Sequence, residues 1–117
     1  MGYRSEVVLI FNNCLLHRFL DVIAKCEETK NLVFKERTDW DKEFQVNDFS
    51  GSHHCIIWTR IKWYEECHKK IEYFVNRNGE YSRFIRIGEG QGDHEDYGNF
   101  AHDEVEIQVP PAEIVFL

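Results

Sequence analysis

From Tyr3 to Phe11 the chain alternates, with Tyr3, Ser5, Val7, Leu9 and Phe11 on one side and Arg4, Glu6, Val8 and Ile10 on the other. The second side turns apolar halfway, which predicts a central strand covered on both faces. Asn12 or Asn13 can then cap a helix by accepting a hydrogen bond from one of its free N–H groups. Within that helix Leu15, Leu16, Phe19, Val22, Ile23 and Cys26 recur at three- and four-residue spacing, while Arg18, Asp21 and Lys25 face elsewhere. The pattern fades near Glu28 to Asn31.

The next stretch carries a weaker pattern. Leu32-Val33-Phe34 fits a short strand or an anchored loop, and Thr38 to Asp41 fits a turn or one helical turn around a buried Trp40. Phe44 to Phe49 and His54 to Ile61 are β-prone runs joined through Ser50, Gly51 and Ser52, which predicts a hairpin. A second helix is predicted over Lys62 to Arg77. Tyr64, Cys67, Ile71, Phe74 and Val75 share one face of it, and Glu65, Glu66, Lys69, Lys70 and Glu72 the other. Asn78-Gly79 is expected to stop this helix, because glycine accepts the left-handed conformation common at helix C-termini. Strands are predicted over Tyr81 to Ile87 and around Val105, Ile107 and Val109, which alternate with Glu104, Glu106 and Gln108. Pro110-Pro111 interrupts pairing, and Ile114 to Leu117 offers a last short strand.

This order predicts an α+β fold in a single domain over residues 1–117: an antiparallel or mixed sheet of about five strands with two helices on one face. A ferredoxin-like βαββαβ core with an added C-terminal strand satisfies it. The composition agrees, with 43% hydrophobic and 15% aromatic residues and only two prolines in 117 positions. No apolar run reaches the length needed to span a bilayer, and the N-terminal run carries no small-residue cleavage pattern, so a soluble, intracellular protein is expected. Cys14, Cys26, Cys55 and Cys67 form no C-x-x-C pair and sit among apolar neighbours, which fits reduced, buried thiols rather than a disulfide framework.

Charge changes the picture more than composition does. The formal net charge is −7, which argues against general nucleic-acid binding. All 14 basic residues lie in residues 1–86, whereas residues 87–117 hold Glu89, Asp93, Glu95, Asp96, Asp103, Glu104, Glu106 and Glu113 and no lysine or arginine. Such a sign asymmetry marks an interaction surface or a solvated edge. Closely spaced carboxylates can imitate nucleic-acid phosphates and steer toward a basic channel on a partner. Neutralising Asp93, Glu95, Asp96, Asp103 and Glu104 together is then expected to abolish binding.

Other candidate chemistry is thinner. Gly88, Gly90 and Gly92 follow a strand, but no helix pattern or Lys-Ser/Thr comes after them, and the flanking carboxylates repel phosphate, so a turn is expected. Asp93, His94, Glu95, Asp96, His102 and Asp103 supply donors for a divalent cation at a spacing that matches no calcium or zinc signature, and no metal or other cofactor is expected. His53-His54-Cys55 and Cys67-His68 put thiol beside imidazole without a third orienting group, and no serine-centred elbow is present, so no catalytic residue is assigned. Trp58, Arg60, Trp63, Arg83 and Arg86 interleave aromatics with cations. They could hold a small ligand or nucleotide, with Trp58 and Arg60 sharing a strand face. The alternative is packed tryptophans and arginines paired to the acidic tail.

Three blocks in this order, MGYRSEV at the N-terminus, IKWY ending at Tyr64 and RFIRIGEG from Arg83 to Gly90, resemble a family of small phage and prophage proteins. The resemblance implies a phage origin and the cytoplasm of an infected bacterium as the setting. It implies no activity or site. Small phage proteins commonly act by binding host machinery, so the expected function is non-catalytic: inhibition of a host defence or nucleic-acid-processing machine in the manner of an anti-CRISPR. The expected partner is a host protein with a basic surface, without direct contact to nucleic acid or membrane. The acidic residues Glu89, Asp93, Glu95, Asp96, Asp103, Glu104 and Glu106 would make the contact. Sequestration of a nucleotide signal is the alternative reading, and a metal-dependent enzyme the second.

Overall fold

The computed structural model describes residues 4–40, 52–63, 66–90, 92–108 and 113–117, with only the backbone of 66 and 67. Seven strands and three helices follow in the order β1 (Ser5–Asn12), α1 (Leu16–Ala24), α2 (Glu27–Phe34), β2 (Asp39–Trp40), β3 (His53–Ile61), α3 (Glu66–Arg77), β4 (Ser82–Gly88), β5 (His94–Gly98), β6 (Val105–Gln108) and β7 (Glu113–Phe116). Five of the strands form one antiparallel sheet in the order β2-β3-β1-β4-β5, and β6 and β7 form a separate hairpin. The fold is thus α+β with a five-stranded antiparallel sheet, one of the two arrangements, antiparallel or mixed, that the order of elements predicted. None of the helices among the described residues is long and apolar enough to cross a membrane.

β1 lies at the centre because both of its faces are apolar. Val7, Leu9 and Phe11 join Phe19 and Ile23 of α1, Leu32 and Val33 of α2, and Ile71, Phe74 and Val75 of α3 in one buried cluster. Val8 and Ile10 join Cys55, Ile85, Phe100, Ala101 and Val105 in a second, on the opposite face of the sheet. Each large side chain so buried stabilises the fold by roughly 1.5–3 kcal/mol. Aromatic edges lock the helix side: Phe19 packs on Phe11 with centroids 4.8 Å apart and on Phe74 at 5.3 Å.

Several local expectations change. Asn12 does cap, its side chain accepting from the Cys14 N–H, but a short 3₁₀ turn over Asn13–Leu15 precedes α1. Residues 27–34, expected to be a fading helix and then a strand or loop, form α2, with Glu27 and Glu28 in its first turn where carboxylates offset the helix dipole. Asp39 and Trp40 form an edge strand rather than a helical turn. α3 is described from Glu66, and Lys62 and Trp63, the expected start of the helix, lie outside it. It is closed not by a left-handed glycine but by Asn78, whose Nδ2 donates to the Phe74 carbonyl at 2.8 Å. The predicted strand over Phe44 to Phe49 lies outside the described residues. Cys14 is exposed and Cys26 half-buried, so only Cys55 of these three free thiols matches the expected burial.

β3 carries a bulge where it passes β1. Val7 pairs with Trp58 and Ser5 with Ile61, leaving Thr59 and Arg60 opposite Glu6 alone. Arg60 absorbs the extra residue with φ 56°, a conformation disfavoured for side chains with a Cβ. Its consequence is to return Ile61 to the helix side, where it packs on the main core. Trp58 and Arg60 therefore do not share a face: Trp58 is fully buried and Arg60 is exposed.

Candidate functional site

The acidic third divides into two parts, sorted by two arginines on β4. Arg83 pairs opposite Ile10 and so faces the second core, whereas Arg86 pairs opposite Val7 and faces the helix side. β5, expected to be a solvated acidic turn, is instead an edge strand: it pairs with β4, with Arg86 opposite Glu95 and Ile85 opposite Asp96. The alternation along β5 sends Glu95 to one arginine and Asp96 to the other.

Arg83 is 2% exposed. Its Nε and Nη2 donate to the two carboxylate oxygens of Asp96 at 2.9 and 2.8 Å. Its Nη1 donates to the Ala101 carbonyl at 2.7 Å and also to the carbonyls of Val105 and His102. One guanidinium thus serves a carboxylate, two carbonyls of the turn that leads into β6 and the first carbonyl of β6, so each nitrogen of the buried charge is hydrogen-bonded. Ala101 holds the left-handed conformation in that turn, with φ 58°. At the end of β5, Gly98 has φ 90°, and a Cβ there would lie 2.1 Å from the Ser82 carbonyl oxygen, so only glycine lets the two backbones approach.

Arg86 gathers the other group. Its Nη2 meets Asp93 at 2.6 Å and Glu95 at 2.7 Å, and its Nη1 donates to Ser5 Oγ at 3.1 Å. Burial alone would lower its pKa; the hydrogen bonds to Asp93 and Glu95 outweigh that and raise it, so the group stays charged. Glu95 also accepts from the Tyr97 hydroxyl at 2.9 Å, which raises the tyrosine pKa. Glu72 of α3 completes the cluster, accepting from Trp63 Nε1 at 3.1 Å. Burial, and then the nearby Glu95 charge, push the Glu72 carboxyl above its ordinary range.

The remaining predicted acidic residues are placed differently. Glu89 is exposed and accepts the Arg4 backbone N–H at 2.7 Å. Glu104 is buried at 7% exposure. Asp103 and Glu106 are exposed, and Glu106 accepts from Gln108 on its own strand at 2.9 Å. Glu113 on β7, next to Glu106's side of the hairpin through the Gln108–Glu113 pair, and Glu6 on β1 are exposed carboxylates absent from the expected set. Both were visible as charges in the sequence. What was not visible is that the hairpin folds back over the sheet and brings them into one region.

The aromatic–cation set does not assemble into one pocket. Trp58 donates through Nε1 to the Leu32 carbonyl at 2.8 Å inside the core. Trp63 is 6% exposed and stacks on His68 with centroids 4.4 Å apart. Arg83 and Arg86 are engaged on opposite faces of the sheet, and Arg60 stands apart on its bulge. Asp93, Glu95 and Asp96 are turned to the arginines, and among the described residues no three Cys, His, Asp or Glu side chains come together as metal donors. Comparison of the chain with family models, with curated proteins and with solved structures finds no match.

Proposed function

We propose that this protein is a non-catalytic binding protein of phage origin that occupies a basic surface on a host defence or nucleic-acid-processing protein. The contact is made by the exposed carboxylates of its C-terminal hairpin. The observation that carries this reading is the sorting of the acidic residues: Asp93, Glu95 and Asp96 neutralise arginines, whereas Asp103, Glu106 and Glu113 are exposed and, among the described residues, not ion-paired. No lysine or arginine occurs from residue 87 onward to offset them. Unpaired carboxylates held on a hairpin retain the long-range attraction that steers an acidic surface to a basic one. The phage origin and the kind of host target rest on the three sequence blocks alone. For the scaffold, we read the order β2-β3-β1-β4 as a ferredoxin-like βαββαβ core, with β5 added at one edge and the β6–β7 hairpin laid over a face.

The test replaces Asp103→Asn, Glu106→Gln and Glu113→Gln together and measures affinity capture of host proteins across a salt series. Recovery of a basic partner should fall about tenfold near 0.15 M salt, and the residual binding should respond less to salt. Unchanged recovery with an unchanged salt response would overturn the reading.

A further inference from the structure

The second face of the sheet is only partly covered. Between it and β7 runs a cleft of about 250 Å³, with Val8, Ile57 and Ile87 on its floor and Ile114 and Phe116 on its wall. Val8 pairs opposite Ile57, and Ile87 stands two residues along β1 on the same face, opposite Glu6, so the floor is continuous across three strands. Ile57, Ile114 and Phe116 are each only half-buried, so apolar surface remains open to solvent. Among the described residues, the charged ones lining it are Glu6 and Glu113, both exposed and without an ion-pair partner there. Arg4 and Arg60 line a neighbouring depression that shares Glu6 and Ile87 with the cleft, and neither arginine lines the cleft itself.

Size and charge together restrict the occupant. The volume lies below the range of roughly 300–1,000 Å³ typical of small-molecule sites and suits one large side chain. A partly enclosed apolar pocket ringed by charge is the form taken by an anchor site in protein recognition, where a single buried group carries much of the affinity and the rim sets the partner's sign. Two carboxylates at the rim select cations.

We propose that this cleft is the anchor site for a segment of the basic partner, in which one bulky apolar side chain is flanked by lysine or arginine. The apolar side chain enters between Ile57 and Ile114, and the flanking cations meet Glu6 and Glu113. This rests on the acidic-surface reading and assigns that surface its apolar centre.

The probe is the capped tripeptide Lys-Phe-Lys, titrated into the full chain and followed by amide and methyl NMR. Saturable shifts are expected at Val8, Ile57, Ile87 and Ile114. Capped Lys-Ala-Lys should bind about tenfold more weakly, because it lacks the apolar group, and capped Glu-Phe-Glu should leave the cleft unshifted. Glu6→Gln with Glu113→Gln should weaken Lys-Phe-Lys about threefold to tenfold, as expected for two exposed charges. Ile57→Trp, which fills the cleft, should abolish the shifts. Thermal unfolding identifies a variant that has lost its fold, in which case Ile57→Phe takes its place.

Equal shifts from Lys-Phe-Lys and Lys-Ala-Lys, shifts confined to other surfaces, or none at all would overturn the proposal. Partner capture separates its failure from failure of the broader reading. If Ile57→Trp keeps full, salt-sensitive capture while the hairpin charge variant loses it, the acidic surface stands and the anchor does not. If the charge variant also keeps full capture, both are lost.

Discussion

The two faces of the sheet are made by the same strands and finished in opposite ways. On the helix side, β1 and β4 meet three helices, and interlocking aromatics such as Phe11, Phe19, Phe74 and Phe84 close the layer. Carboxylates on that side surround Arg86 at the sheet edge. On the hairpin side, the apolar cover is small, a cleft remains, and Arg83 reaches across to fasten the turn that carries β6 and β7 over the sheet. Carboxylates on the outer part of that side, Asp103, Glu106 and Glu113, have no ion-pair partner among the described residues. Acidic residues close in sequence thus play different parts: those near β4 hold the scaffold together, and those on the hairpin give it its charged surface.

Arginine substitutions should break this contrast most sharply. Arg83→Met keeps an apolar stem but strips Asp96 of its two donors and the Ala101, His102 and Val105 carbonyls of a charged one, and should destabilise the fold by about 3–5 kcal/mol, with the hairpin detaching first. Arg86→Met, which leaves side chains rather than turn carbonyls without their donor, should cost less, about 1–3 kcal/mol. Urea unfolding of both variants checks the order. Equal losses would mean that the two faces are not finished differently.

A smaller effect sharpens the helix side. The Glu72 carboxyl titrates above the ordinary value of 4.5 because burial and the Glu95 charge disfavour its ionised form. A carboxyl whose pKa is raised by folding contributes stability that is complete below its unfolded pKa and is lost as pH rises through the folded one. Glu72→Gln, which retains an acceptor for the Trp63 indole, should therefore raise the unfolding midpoint at pH 7. The gain should disappear below about pH 4. Midpoints measured by circular dichroism from about pH 3 to 8 would show it; a gain independent of pH would point to packing instead.

Periodicity made much of the scaffold legible. β1, α1, α3 and β4 lie where the apolar pattern put them, and the order of elements left an antiparallel or a mixed sheet open, of which the antiparallel one forms. β5 was hidden because His94, Glu95, Asp96 and Tyr97 show no apolar alternation; the strand exists because two arginines on its neighbour satisfy its carboxylates from opposite faces. α2 was hidden by Thr29 and Asn31, which break the apolar pattern of a short helix. The bulge at Arg60 was unreadable because arginine seldom takes a positive φ, and it removed the shared face expected for Trp58 and Arg60. The candidate site was legible as a charge asymmetry but not as a surface. Which carboxylates meet arginines depends on strand pairing, and Glu6 joins the hairpin's neighbourhood only once β7 folds back beside β1.

Hydrogen exchange on the full chain, with and without the captured basic partner, tests the division of labour most directly. Binding is predicted to slow exchange in residues 105–108 and 113–116 and at the start of β1, leaving α1, α2 and α3 unchanged. Protection confined to the helices or to residues 93–98, with the hairpin exchanging as before, would contradict it.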